Sequence, residues 1–100
     1  MSSARPYLAV LEVTVRLPDA HCLKDKRAVT QSIKDGVRRR FGVAVAEIDG
    51  LDERRRAVLL FAGLATARPR ADGLLARLEA HLERYFGGHD LTFESRVVEL

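Results

Sequence analysis

At 100 residues, 47% of them hydrophobic and 31% charged, the chain is long enough for one modest core and too short for two, so a single domain over residues 1–100 is expected. No apolar run reaches membrane-spanning length, and the first residues lack the basic stretch, apolar run and small-residue cleavage site of a secretion signal, which predicts a cytoplasmic protein. A single cysteine, Cys22, excludes an internal disulfide and a cysteine-rich zinc site within one chain; the net charge of +3 is small, but its basic residues are clustered and mostly arginine.

From Tyr7 to Leu17 apolar residues alternate, with Leu11, Val13, Val15 and Leu17 on one face and Glu12, Thr14 and Arg16 on the other, which predicts a long strand. Pro18 and Asp19 break it. Val29, Ile33, Val37 and Phe41 then recur every fourth residue, the stripe of an amphipathic helix from about Leu23 to Arg40, which Gly42 is placed to end. Val43 to Ile48 is β-branched and weakly alternating, Asp49-Gly50 is a turn signal, and Ala57 to Ala65 is an almost unbroken apolar run, so the two form a hairpin with the second strand central. Pro69 suits the first turn of a second helix, with Leu75, Leu78, Leu82 and Phe86 as its buried stripe and Gly87-Gly88 as its stop. A last strand runs from about Asp90 to Leu100.

The order βαββαβ is the ferredoxin-like pattern, an α+β sandwich built from two split β-α-β units. Right-handed crossovers give an antiparallel four-stranded sheet of order 4-1-3-2 with both helices on one face. Val58, Leu60, Ala62 and Leu64 alternate with Leu59 and Phe61, so the face that the third strand turns away from the helices is still apolar. An uncovered apolar face predicts an interaction surface, and a homo-oligomer through the open sheet is expected.

The run from Cys22 to Asp49 resembles the YlxP-like family of small bacterial proteins, a family of unknown function. Leu23, Lys24, Lys26, Arg27, Arg38, Arg40, Phe41, Val43, Val45, Ala46 and Glu47 match its pattern. Cys22 stands where that pattern has Ser, Asp25 where it has Glu, Gly42 where it has Asn, Arg54 where Trp is common and Leu60 where a strand Gly falls. The resemblance implies the same ferredoxin-like fold. The family's gene neighbourhood, among genes of translation initiation and ribosome maturation, implies ribosomal RNA or a ribosome assembly particle as partner.

Topology gathers the charges at two ends of the sheet. The start of the first helix and the following hairpin place Lys24, Lys26, Arg27, Arg54, Arg55 and Arg56 together as the candidate anion or RNA site. Cations at a helix N-terminus oppose its dipole, while the free N–H groups there receive anions, and a phosphate reconciles the two. The bland alternative is that Asp25, Asp52 and Glu53 offset these cations and that their stems cover apolar surface. At the other end Arg38, Arg39 and Arg40 approach Arg68, Arg70 and Arg5 as a secondary patch, which the helix dipole alone explains.

No catalytic residue, metal ligand set or cofactor motif is read: there is no glycine-rich phosphate loop, no His-Glu-x-x-His and no Gly-x-Ser-x-Gly. Cys22 at a helix start is expected to be a reactive thiol if exposed, and Cys22-x-x-Asp25 is a degraded capping box. His21 and His89 near Cys22 do not have the spacing of a metal or nucleophile site, and His81 falls between apolar helix positions as a surface or boundary residue. The expectation is therefore a non-enzymatic RNA-associated protein, with a homo-oligomeric interaction module as the alternative.

Overall fold

The structure, a computed structural model, describes residues 5–100. Its elements follow in the order β1 (Tyr7–Arg16), α1 (Leu23–Phe41), β2 (Ala44–Asp49), β3 (Arg56–Ala65), α2 (Arg68–Phe86) and β4 (Asp90–Glu99). The sheet order is β2-β3-β1-β4, and every pairing is antiparallel. This is the expected 4-1-3-2 ferredoxin-like arrangement.

The core lies between one sheet face and the two helices. Ala9, Leu11, Val13 and Val15 of β1 and Leu59 and Phe61 of β3 meet Ile33 and Val37 of α1 and Ala71, Leu75, Leu78 and Leu82 of α2. Each set sits at its element's own period, two along the strands and three to four along the helices. Gly63 on the inner face of β3 leaves room for the Leu74 side chain of α2. A Cβ there would lie 2.6 Å from Leu74 Cδ2 and 3.0 Å from Val43 Cγ1.

Gly42 ends α1 in the left-handed conformation, φ 63°, and its N–H donates to the Arg38 carbonyl at 3.0 Å. Gly87 ends α2 with right-handed φ −64°, so the second helix stops without the left-handed cap that Gly87-Gly88 suggested. The sheet's other face is uncovered within the chain. It presents Leu8, Val10, Glu12 and Thr14 of β1 beside Leu64, Ala62, Leu60 and Val58 of β3, in direct register.

Candidate anion-binding surfaces

The start of α1 is built differently from the sequence expectation. Lys26 is only 2% exposed. It falls on the inward stripe with Thr30, Ile33 and Val37, at successive spacings of four, three and four residues. Its ammonium donates to the Gly50 carbonyl at 2.6 Å, to Glu47 Oε2 at 3.2 Å, and at 3.4 Å to the carbonyls of Leu51 and Arg56. Lys26 therefore leaves the set of cations that an external anion can reach. It is an internal clamp from α1 onto the β2–β3 loop, and Glu47, on the inner side of β2, is its partly buried counter-charge.

Arg56 is also engaged. Its guanidinium holds Asp49 Oδ2 at 2.9 Å and Glu53 Oε1 at 3.2 Å. Hydrogen bonds from Arg56 and from the Gly50 N–H keep the Asp49 carboxyl below its ordinary range. Lys24, Arg27, Arg54 and Arg55 remain exposed, as expected. The first turn of the helix is nevertheless supplied with an anion by the chain itself. Asp25 Oδ2 accepts from the His21 N–H at 2.9 Å, and that bond is the main cause of its lowered pKa.

Cys22 is the N-cap, exposed, and makes no side-chain cap bond. Asp25 thus preserves one half of the capping box, displaced by one residue. Beside this turn lies a hollow of 410 Å³ bordered by Asp19, Asp25 and Asp90 as well as Arg16 and His89. Three carboxylates around a hollow repel a phosphate.

The second basic region is assembled from partly different residues than expected. The helices touch where Gly36 faces His81: a Cβ on Gly36 would lie 3.6 Å from His81 Nε2. The His81 ring sits 5.3 Å from the Phe41 ring, 4.9 Å from Tyr85 and 6.5 Å from Phe86. Two adjoining hollows open on this aromatic cluster. One, of 450 Å³, is bordered by Ser32, Gly36, Arg39, Arg40, His81, Tyr85 and Phe86. The other adds Arg77 and Arg84. Among the described residues no carboxylate lines either hollow, and none of Arg39, Arg40, Arg77 and Arg84 makes an ion pair.

Arg40 and Arg84 lie over the Phe41 and Tyr85 rings, at 5.9 and 5.5 Å from their centres, and Tyr85 is 56% exposed. Burial, and next the charge of Arg40, lower the pKa of His81. Its Nδ1 is buried without a hydrogen-bond partner. Sequence reading placed Arg39 and Arg40 here but missed Arg77, His81, Arg84 and Tyr85. His81 falls four residues after Arg77, and Arg84 and Tyr85 three and four after His81, along one side of α2, a spacing that was available as a signal.

The remainder of the secondary patch is only partly gathered. Arg70 borders a separate cavity with Phe41, Gly42 and Arg77, whereas Arg38 pairs with Asp35 at 3.5 Å and Arg5 with Glu99 at 2.8 Å. Arg68 is exposed and lines none of these hollows. Among the described residues no group of three or more His, Cys, Asp or Glu side chains could hold a metal ion. No helix there is long and apolar enough to cross a membrane.

Comparison with solved structures gives the fold. The designed protein Foldit4 matches with a TM-score of 0.52 at 11% identity, covering 91% of this chain and 96% of its own. CPII, a nitrogen regulatory PII-like protein from Thiomonas intermedia K12 bound to ADP, AMP and bicarbonate, matches with a TM-score of 0.55 at 12% identity, covering 94% of each chain. At such identities the likeness is one of architecture. No curated protein matches the sequence significantly. One family profile, described as "Protein of unknown function (DUF503)", matches residues 8–94, nearly the full length of the sheet and both helices, and the chain belongs to that family.

Proposed function

We propose that the protein is a non-enzymatic, cytoplasmic binder of single-stranded RNA, and that the contact surface is the crossing of α1 and α2. The observation that carries this reading is the carboxylate-free aromatic cluster of His81 and Tyr85, framed by the unpaired Arg39, Arg40, Arg77 and Arg84. Guanidinium groups fork onto phosphate oxygens, and an exposed ring offers a base a stacking surface, so the two features together favour single-stranded nucleic acid over a simple anion. The start of α1 is the weaker surface, because Lys26 is internal, Arg56 is paired and Asp25 occupies the helix end. The YlxP-like resemblance of the run from Cys22 to Asp49 supports a role in ribosome maturation.

Fluorescence anisotropy with a labelled single-stranded RNA tests the assignment. Arg40→Glu with Arg77→Glu should weaken binding about tenfold or more and flatten the slope of log affinity against log salt by about 0.7 per lost phosphate contact. Lys24→Glu with Arg27→Glu should leave both nearly unchanged. If only the second pair matters, the α1 start is the site after all; if the unaltered protein fails to bind, the RNA reading is wrong.

A second reading, self-association through the open sheet face, draws on Leu64 and Val98. They flank Leu8 in one cross-strand row and remain 72% and 38% exposed.

A further inference from the structure

Beyond the row Arg56, Arg16, Asp90 at the strand ends, the register fixes four cross-strand rows on the open face. From β3 through β1 to β4 they read Leu64, Leu8, Val98; then Ala62, Val10, Arg96; then Leu60, Glu12, Glu94; then Val58, Thr14, Thr92. Ala44 and Ala46 of β2 extend the second and third rows. Glu12 and Glu94 are therefore directly opposite each other, a like-charge pair that costs stability in a sheet. Arg96 is one row away. None of the three makes an ion pair within the described chain, although they surround one shallow depression with Val10 and Leu60. A lone chain thus carries two carboxylates and one guanidinium without ion pairs beside the apolar residues of this face, Glu12 on the inner strand β1 and Glu94 and Arg96 on the edge strand β4.

We infer that this face is the seat of a second copy of the chain, held in one register by Arg96 of each copy against the Glu12–Glu94 pair of the other. The inference rests on the self-association reading and adds its geometry. Two sheets stacked face to face keep their strands roughly aligned, which leaves two directions for an in-plane two-fold axis. An axis along the strands through β1 sets Glu12 against Glu12 of the second copy and leaves Arg96 over Ala62. An axis across the strands, between the Val10 row and the Glu12 row, exchanges those two rows. Arg96 then faces Glu94 and stands beside Glu12, and its five donors serve both carboxylates.

The same operation sets Ala62 against Leu60 and Leu64 against Val58, with Leu8 and Val98 over Thr14 and Thr92, and Val10 over the stem of Glu12. Of these two axes only the crosswise one sets the guanidinium against the carboxylates. The like-charge pair that destabilises the free sheet becomes the acceptor of the contact, and an outside partner would need to reproduce a guanidinium at that one position.

Analytical ultracentrifugation of the unaltered protein and three variants tests this. The unaltered chain should sediment at twice its 11.2 kDa mass at micromolar concentration. Arg96→Glu should raise the dimer dissociation constant by about 30-fold or more, because each copy then buries carboxylates alone. Glu94→Arg combined with Arg96→Glu, which exchanges the charges across the axis, should restore the dimer. Leu64→Asp, at an exposed position that does not challenge the fold, should also dissociate it.

A monomeric unaltered protein overturns both the self-association and its geometry. A dimer indifferent to Arg96→Glu, or one that the charge exchange fails to rescue, overturns the register alone.

Discussion

Lys26 shows how one side chain changes meaning with its position on a helix. Its ammonium and the Glu47 carboxylate are both withdrawn from water, and loop carbonyls supply the remaining acceptors. Deleting one member of such a pair leaves the other charge buried alone, so Lys26→Met should lower stability by about 3 kcal/mol in urea denaturation. Adding Glu47→Gln should recover part of that loss, because the orphaned charge is then removed. At the N-cap the direction reverses. Cys22 has the extended backbone of a cap, φ −156° and ψ 170°, but no cap bond, so Cys22→Ser should raise stability by about 0.5–1 kcal/mol, read from the same unfolding curves.

Elements were read from sequence with little loss, because periods of two and of three to four survive any tertiary context. All six begin and end within a few residues of their expected bounds. What periodicity could also have placed was Lys26, in line with Ile33 and Val37, and Glu47, in line with Val43 and Val45; reading every charge as solvent-seeking hid both. The α1–α2 crossing was less accessible. Which residues of two amphipathic helices touch depends on their angle over the sheet, so His81 is half-buried against Phe41 for a reason that its own neighbours in sequence do not carry.

That placement has a measurable pH consequence. With its folded pKa below the ordinary 6.5, His81 binds fewer protons in the native than in the unfolded chain. Its contribution to stability is complete above about 6.5 and is lost progressively as pH falls through the folded value. His81→Gln should flatten the pH dependence of the urea midpoint in that window. At the end of α1, Gly42 has open space around its missing Cβ, so Gly42→Ala should cost only the left-handed backbone penalty, about 1 kcal/mol in the same assay.

At the scale of the whole molecule the two faces have separate chemistries, cationic and aromatic over the helices, apolar with embedded charges over the open sheet. A two-fold pairing of the open faces turns the helices outward, so two helix crossings remain available on opposite sides. The Lys26 clamp adds a coupling between distant parts of this molecule. The loop between β2 and β3 has the exposure of a mobile hairpin tip, yet the Glu53 N–H donates to the Gly50 carbonyl at 3.0 Å, the same oxygen that Lys26 holds from α1. The Glu53 amide should therefore exchange with deuterium only when α1 lifts from the sheet, at the slow rate of the core strands. In Lys26→Met the tip should open by itself, with fast exchange at Glu53 and unchanged protection at Val13 relative to global unfolding, so that one buried ammonium decides whether this loop belongs to the cooperative unit of the fold.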